Sequence, residues 1–151
     1  MPKTVEMIVS LKVPDTTAIT TLQTLQKIGF NKLKNVKRAD YYKFLFEGDA
    51  EKFKGKICKV DILVNVNKHS YSFSIPKGND VKILVKNIND SESNILSTLK
   101  KNLGFKNIKK VEKAVLWSLM IDSDEKEARK TADRAAKELL VNEHYQIYTI
   151  L

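Results

Sequence analysis

One stretch decides the fold of this chain: Gly29-Phe30-Asn31-Lys32-Leu33-Lys34-Asn35-Val36, whose pattern recurs as Gly104-Phe105-Lys106-Asn107-Ile108-Lys109-Lys110-Val111. In each copy a helix-like run ends at the glycine, an aromatic residue follows, and then come a lysine cluster and a valine. The match continues downstream, where Leu63-Val64-Asn65 returns as Leu140-Val141-Asn142. Two halves that repeat one order of features predict a small structural unit written twice.

The repeat divides the 151 residues into two halves, residues 1–75 and residues 81–151, joined by a linker at residues 76–80. A unit of roughly 70 residues buries an apolar core that is only marginally sufficient for independent folding. We therefore expect each half to depend on the other for its stability.

Composition and charge exclude several classes of protein. The net charge of +9 comes almost entirely from lysine, with only three arginines, whereas readout of bases and phosphates usually relies on arginine. No apolar run approaches the roughly 20 residues that a membrane-spanning helix requires. The single Cys58 cannot form an internal disulfide, and one cysteine with two separated histidines argues against a metal site. We expect a cytoplasmic protein without metal or cofactor.

Both halves predict the same order of elements. Apolar residues alternate from Val5 to Val13 and from Val81 to Val85, which indicates a strand with one buried face. A helix follows, capped by Asp15 or a following threonine in the first half and by Asp90 or Ser91 in the second, and closed by the glycine of the repeat. The expected apolar stripes are Ala18, Ile19, Leu22, Leu25 and Ile28, and then Ile95, Leu96, Leu99 and Leu103.

Long runs with apolar residues on both faces come next, at residues 34–46 and 109–121. They exceed the usual strand length and lack the Asn-Gly or Asp-Gly of a tight turn, so we expect a bent strand or a loose corner rather than a hairpin. A second helix and a last strand, at residues 71–75 and 145–150, complete each half. The second helices carry the stripes Phe53, Ile57, Val60 and Val64, and Ala128, Ala132, Ala135 and Leu139.

These elements predict an α+β fold of two ferredoxin-like-related β-α-β(β)-α-β units. We expect antiparallel sheets with the helices on one face, and a pseudo-two-fold axis relating the units. Apolar side chains on the opposite sheet face are then expected to form the interface between the repeats; they are Tyr41, Leu45, Leu116 and Met120.

The sequence contains no recognisable catalytic motif. Lys54-Gly55-Lys56 lacks the spacing of a phosphate-binding loop, and Cys-x-x-Cys, His-Glu-x-x-His and a glycine-flanked serine are all absent. His69 and His144 are expected to be corner residues, Cys58 an apolar filler, and the acidic run from Asp122 a helix start that complements the helix dipole. We therefore expect a non-catalytic protein.

Two matching groups of cations follow the aromatic residues of the repeat. A plain solvated face, a surface that docks an acidic partner, and a site for phosphate or nucleic acid are all open interpretations. The candidates for partner docking are Lys34, Lys37 and Arg38 in the first half and Lys109, Lys110 and Lys113 in the second.

The layout of the second half resembles the PurS family. The residues that carry the resemblance are Leu103-Gly104-Phe105, Val111, Lys113, Asp122-Ser123-Asp124-Glu125 and Lys137-Glu138-Leu139-Leu140-Val141-Asn142, before a last tyrosine-containing strand. Residues 5–75 resemble the family more weakly, through Gly29-Phe30, Val36, Arg38 and Leu63-Val64-Asn65. The chain departs from the family at Ala39-Asp40 and Ala114-Val115, where the family usually has Gly-Lys.

The resemblance implies a role in de novo purine biosynthesis. PurS is the small, non-catalytic subunit of phosphoribosylformylglycinamidine (FGAM) synthase, and its members dimerise and bridge the large synthetase subunit and the glutaminase subunit. This chain is then expected to be a tandem of two PurS-like units in that complex, with further self-association into a dimer left open.

Two other functions remain open at this stage. A basic nucleic-acid-binding module would bind with a steep dependence on salt, although the low arginine content counts against it. A ligand-sensing regulatory pair of β-α-β units would bind an amino acid or a nucleotide at the seam between the halves, although a Gly-rich ligand loop is absent from the sequence.

Overall fold

The computed structural model of this protein describes residues 2–76, 78–88, 92–101 and 104–151. Each half has the order strand, helix, strand, helix, strand. The first half contains β1 (Lys3–Leu11), α1 (Thr16–Lys27), β2 (Leu33–Phe46), α2 (Ala50–Ile57) and β3 (His69–Ser72). The second contains β4 (Val81–Asn87), α3 (Glu92–Lys101), β5 (Ile108–Ile121), α4 (Glu125–Ala135) with a π-helical turn at Ala136–Leu140, and β6 (Gln146–Ile150).

The strands form one six-stranded antiparallel sheet in the order β3-β1-β2-β5-β4-β6. In the pairing of β1 with β2, Val5 lies opposite Phe44 and Met7 opposite Tyr42, while Ile83 of β4 lies opposite Trp117 of β5. The expected α+β class with antiparallel pairing is thereby confirmed. Both β2 and β5 run unbroken for 14 residues, so the long strand is confirmed and the hairpin is excluded.

The chain packs into two compact units, and each unit draws on both halves of the sequence. Unit 1 comprises Met1–Lys12, Asp40–Ile75 and Asp90–Lys113, and unit 2 comprises the remaining segments, Val13–Ala39, Pro76–Asn89 and Ala114–Leu151. The strands β2 and β5 each contribute one part to each unit. The helix α1 of the first half belongs to unit 2, and the helix α3 of the second half belongs to unit 1.

The core of unit 1 is rich in aromatic side chains. Phe44 and Phe46 of β2 are almost fully buried, and the Phe46 ring stacks on Phe53 of α2 with 4.1 Å between ring centroids. Leu99 of α3 and Ile108 of β5 are wholly buried in the same core. Residues of α3 and β5 from the second half therefore complete a core whose other strands and second helix come from the first.

The core of unit 2 is built in the reciprocal way. Leu25 of α1 is wholly buried among residues of the second half, including Ile83 of β4 and Leu119 of β5. The small residues Ala132 and Ala135 of α4 are also fully buried there. Unit 2 thus pairs a helix of the first half with the strands and second helix of the second half.

The buried stripes of the helices differ in part from the predicted ones. On α1 the buried residues are Ala18, Thr21 and Leu25, whereas Ile19 and Ile28 are about half exposed. The first strand also ends sooner than predicted, at Leu11, because its pairing with β3 ends there, opposite His69. The predicted caps Asp90 and Ser91, and Leu103, lie outside the described residues.

The second helices are shorter than their predicted stripes. Helix α2 ends at Ile57, and Val60 and Val64 are buried in the turns that follow it. In the second half the π-helical turn adds a residue after Ala135, so Leu140 rather than the predicted Leu139 faces the core. The predicted last strands shift as well: β3 begins earlier, at His69, and β6 begins one residue later than expected.

The corner before the last strand has the same hydrogen bonds in both halves. The Asn65 carbonyl accepts from the N–H groups of Lys68 and His69, and the Asn142 carbonyl accepts from those of Tyr145 and Gln146. The side-chain oxygens of these two asparagines also accept from the N–H two residues on, that of Asn67 or of His144. Finally, the N–H of each asparagine donates to a side chain four residues later, His69 Nδ1 or Gln146 Oε1, at 3.0 Å.

A second repeated hydrogen bond joins the end of a long strand to the start of the other one. The Glu47 N–H donates to the Asn107 carbonyl at 3.0 Å in unit 1, and the Asp122 N–H donates to the Lys32 carbonyl at 2.8 Å in unit 2. With the glycines of the repeat superposed, Glu47 corresponds to Asp122 and Lys32 to Asn107. The same atoms therefore make the same contact in each unit.

Candidate functional site

The predicted docking cation Arg38 is held firmly within unit 2. Its Nε lies 3.0 Å from Asp15 Oδ2 and its Nη2 lies 3.3 Å from Asp15 Oδ1. The same carboxylate caps α1 by accepting from the N–H groups of Thr17 and Ala18. The guanidinium carbon also lies 6.0 Å from the ring centre of Trp117. These contacts give Arg38 a structural role, and its part in docking stays a prediction.

The other two cations of this group are exposed on β2. Lys34 Nζ donates to the Asn31 carbonyl at 3.3 Å. Lys37 lies close enough to act on Asp80, whose carboxylate is 2.6 Å from Lys82 Nζ. Partial burial acts to raise the pKa of Asp80, but the hydrogen bond from Lys82 and the charges of Lys82 and Lys37 outweigh it and lower that pKa.

The second group of cations lies on β5 within unit 1. Lys109 Nζ is 3.9 Å from Glu47, and Lys110 Nζ is 3.1 Å from Glu112. Lys113 Nζ lies 5.8 Å from the ring centre of Tyr42. Exposed ion pairs of this kind contribute only about 0–1 kcal/mol, so a partner's carboxylates could replace Glu47 or Glu112 at little cost.

The residues predicted to line the interface between the repeats differ in exposure. Tyr41 and Leu116 are buried, Leu45 is half-buried, and Met120 is 49% exposed. Burial is the main reason that the pKa of Tyr41 lies above its ordinary range, and the hydrogen bond from its hydroxyl to Glu6 adds to the effect. Their place in an interface stays a prediction.

The histidines and the cysteine lie in structural positions. His69 Nδ1 accepts a backbone hydrogen bond at the corner, and the His144 ring lies against Tyr145. The Cys58 thiol is buried and donates to the Gly55 carbonyl at 3.7 Å. Within the described residues, no group of three or more histidine, cysteine or acidic side chains is placed to hold a metal ion.

Sequence reasoning missed a cavity of about 400 Å³ in unit 1. It lies where α2 faces the loop that leads into β5, so the two halves of the sequence contribute opposite walls. Phe53 and Phe105 form an apolar surface in it, with 6.2 Å between their ring centroids in an edge-to-face arrangement. Three lysines also line it: Lys52, Lys56 and Lys106.

Unit 2 has a larger and more polar groove, of about 820 Å³. Several of its charged groups are already paired within the unit. Asp80 pairs with Lys82, and Arg129 Nη1 donates to the Leu151 carbonyl at 2.8 Å. The groove also contains Lys34, Asp122 and Glu125, so it presents charges of both signs to a ligand.

Comparison with known proteins gives one family match. Residues 80–151 match the family described as PurS, phosphoribosylformylglycinamidine (FGAM) synthase. No curated protein matches the chain. Among the described residues, no helix combines the length and apolar character needed to cross a membrane. The family match supports, for the second half of the chain, the resemblance expected from the sequence.

Proposed function

We propose that this chain is a non-catalytic, PurS-like subunit of FGAM synthase that acts in purine biosynthesis in the cytoplasm. In this role it bridges the large synthetase subunit and the glutaminase subunit. The observation that carries the proposal is the match of residues 80–151 to the PurS family. The lack of a catalytic motif in the sequence agrees with a bridging role.

We further propose that residues 1–75 are a second, diverged PurS-like unit and that residues 76–80 join the two. Support comes from the corner at Asn65 and Asn142, where four hydrogen bonds recur at corresponding positions. The recurrence of the bond from Glu47 to Asn107 as the bond from Asp122 to Lys32 adds independent support. A covalent tandem would keep the two halves of the sequence at a high effective concentration relative to each other, so assembly would not require two separate chains to associate.

A reconstitution assay tests the proposed function. The large synthetase subunit and the glutaminase are mixed with ATP, formylglycinamide ribonucleotide and glutamine, with and without this chain. We expect glutamine-dependent amidation only when the chain is present. Amidation with added ammonia, which bypasses the glutaminase, should proceed in both mixtures. Equal glutamine-dependent rates with and without the chain would overturn the proposal.

The docking surface can be tested by charge reversal. We propose that Lys109, Lys110 and Lys113 contact acidic groups of the large subunit, because these lysines lie close together along β5 and the ion pairs of Lys109 with Glu47 and of Lys110 with Glu112 are weak surface contacts. The triple change to glutamate should abolish co-purification with the large subunit while the circular dichroism spectrum stays unchanged. Reversal of Lys126 and Lys130 on α4 is the matched control and should leave co-purification intact. Normal assembly of the triple variant would exclude this surface.

A further inference from the structure

The cavity of unit 1 has an aromatic wall that is accessible to a ligand. Phe46 and Phe53 stack on each other, and Phe105 meets Phe53 edge to face. Whereas Phe46 and Phe53 are buried, Phe105 is only partly buried. A partly exposed aromatic ring beside a concavity offers apolar surface on which a flat ring can stack.

In unit 2 the corresponding aromatic ring is covered. With the glycines superposed, Phe53 corresponds to Ala128 and Phe105 to Phe30. Phe30 is only 5% exposed, and the Arg134 guanidinium covers its ring at 5.1 Å from the centroid. A small alanine on α4 leaves room for Phe30 in the core, whereas the phenylalanine on α2 fills that room and leaves Phe105 nearer the surface. The groove of unit 2 also includes Ile121, Asp122 and Ala128, the counterparts of Phe46, Glu47 and Phe53. The difference between the two units is therefore the accessible aromatic ring of Phe105.

The charged residues around the cavity also differ from those at the corresponding positions of unit 2. Lys52, Lys56 and Lys106 line the cavity of unit 1, and the residues at the corresponding positions are Glu127, Thr131 and Asn31. No ion pair of these three lysines occurs within the described parts of the chain. Lys52 and Lys56 lie one turn apart on α2, and Lys106 lies on the opposite wall, so their charges approach the cavity from two sides.

Two acidic residues also line the cavity, but both already have partners. Glu47 is paired with Lys109 at 3.9 Å. Asp49 caps α2, and its Oδ1 accepts from the Glu51 N–H at 2.9 Å and from the Lys52 N–H at 3.4 Å. The three lysines and two carboxylates that line the cavity give it a formal charge of +1, and within the described residues none of the three lysines is in an ion pair.

We propose that the cavity of unit 1 binds a nucleoside monophosphate, with the base stacked on Phe105 and the phosphate held by Lys52, Lys56 and Lys106. Three ammonium groups suit a compact dianion, and lysine is a common phosphate ligand. The partly exposed ring supplies the stacking surface that a base requires. The volume of about 400 Å³ lies in the range of sites for small molecules. This ligand site does not depend on the proposed subunit role.

Isothermal titration of the full-length protein tests the proposal, with AMP, UMP, adenosine and inorganic phosphate as separate probes. We expect AMP to bind, and both adenosine and phosphate to bind at least about tenfold more weakly. Adenosine lacks the phosphate that the lysines would hold, and inorganic phosphate lacks the base that would stack on Phe105. Equal affinity for AMP and phosphate would overturn the stacking part, and equal affinity for AMP and adenosine would overturn the phosphate part. No binding of AMP would overturn the whole proposal, and the UMP titration measures whether the site distinguishes the bases.

Substitutions that copy unit 2 locate the site. The double variant K52E/K106N introduces the residues found at the corresponding positions of unit 2, Glu127 and Asn31, and we expect it to weaken AMP binding by about tenfold or more. Both positions are exposed, so the fold should be retained. The control variant K130E on α4 should bind AMP as the unchanged protein does. If K52E/K106N binds AMP normally, or if K130E weakens binding equally, the assignment to this cavity is wrong.

Discussion

Replacement of Leu25 by alanine tests whether α1 stabilises unit 2. Leu25 is wholly buried in that unit's core. Truncation of a fully buried leucine removes its apolar contacts and leaves a cavity, at a cost of about 2–5 kcal/mol. If the free energy of unfolding falls by about 3–4 kcal/mol per molar of guanidinium, a loss of about 3 kcal/mol in that free energy lowers the unfolding midpoint by roughly 0.8–1 M.

The assay is guanidinium unfolding followed by circular dichroism. Ile28→Ala, at the end of the same helix, is the matched control because Ile28 is 54% exposed. Its effect should stay within about 0.5 kcal/mol, as for most surface substitutions. If Leu25→Ala is no more destabilising than Ile28→Ala, then Leu25 does not contribute to the core as the structure indicates.

Hydrogen exchange then shows which part of the molecule is affected. Because Leu25 packs in the core of unit 2, amides of Val81–Val85 in β4 should lose more protection than those of Val5–Val9 in β1. Leu99→Ala on α3 should give the reverse pattern, since Leu99 is wholly buried in unit 1. An equal or larger loss in β1 for Leu25→Ala would refute the assignment of α1 to unit 2.

Three further substitutions test local features of the fold. Gly29→Ala should destabilise the protein by about 1–2 kcal/mol in chemical denaturation, because the φ angle of +114° is one that side chains other than glycine rarely adopt. Tyr148→Phe should make unfolding less sensitive to acid, because the hydrogen bond from the Tyr148 hydroxyl lowers the pKa of Asp133 in the folded protein. This hydrogen bond stabilises the protein above the ordinary pKa of an aspartate, and that stability is lost as pH falls through the lowered pKa. Urea unfolding midpoints at pH 7 and pH 3 measure the difference. Asp15→Ala removes both the cap of α1 and the partner of an arginine, and should lower stability by about 1–2 kcal/mol in thermal unfolding.

Each of these substitutions has a matched control. Gly55→Ala lies within α2, where an added methyl group meets nothing within 4 Å, and should stabilise the protein by about 0.5–1 kcal/mol. A loss for Gly55→Ala equal to that for Gly29→Ala would contradict the backbone argument. Tyr145→Phe should leave the acid sensitivity unchanged, and an equal change would remove the role given to Tyr148. Asp61→Ala, in an exposed turn, should have little effect; a similar loss there would show that Asp15 acts only through net charge.

The sequence predicted the elements of the fold well where local chemistry determines them. Gly29, just after α1, and Gly104 both have positive φ angles, and Asp15 caps α1 as expected. The two long strands follow from apolar residues that recur along them without the residues of a tight turn. These features depend on backbone conformation and on contacts within a few residues, which the local sequence encodes directly.

The details of burial were less predictable because they depend on distant neighbours. Thr21 is buried and Ile19 is exposed, because the orientation of α1 against its core determines which nearby positions of the helix are buried. The π-helical turn moved burial from Leu139 to Leu140, and a period of 3.6 residues cannot anticipate it. The cavity between Phe53 and Phe105 was missed because it also depends on residues that are distant in the sequence. The difference between Lys52 and its counterpart Glu127 was nevertheless visible in the sequence.

By itself, the sequence determined the repeated order of strands and helices, the points at which the helices end, and the faces that carry apolar residues. Only the tertiary structure decided that α1 joins unit 2 and that α3 joins unit 1. The physical reason is that burial of apolar surface is non-directional. An apolar stripe specifies which side of a helix leaves water, but any sheet of suitable shape can cover it, so the choice of partner depends on the packing of the whole chain.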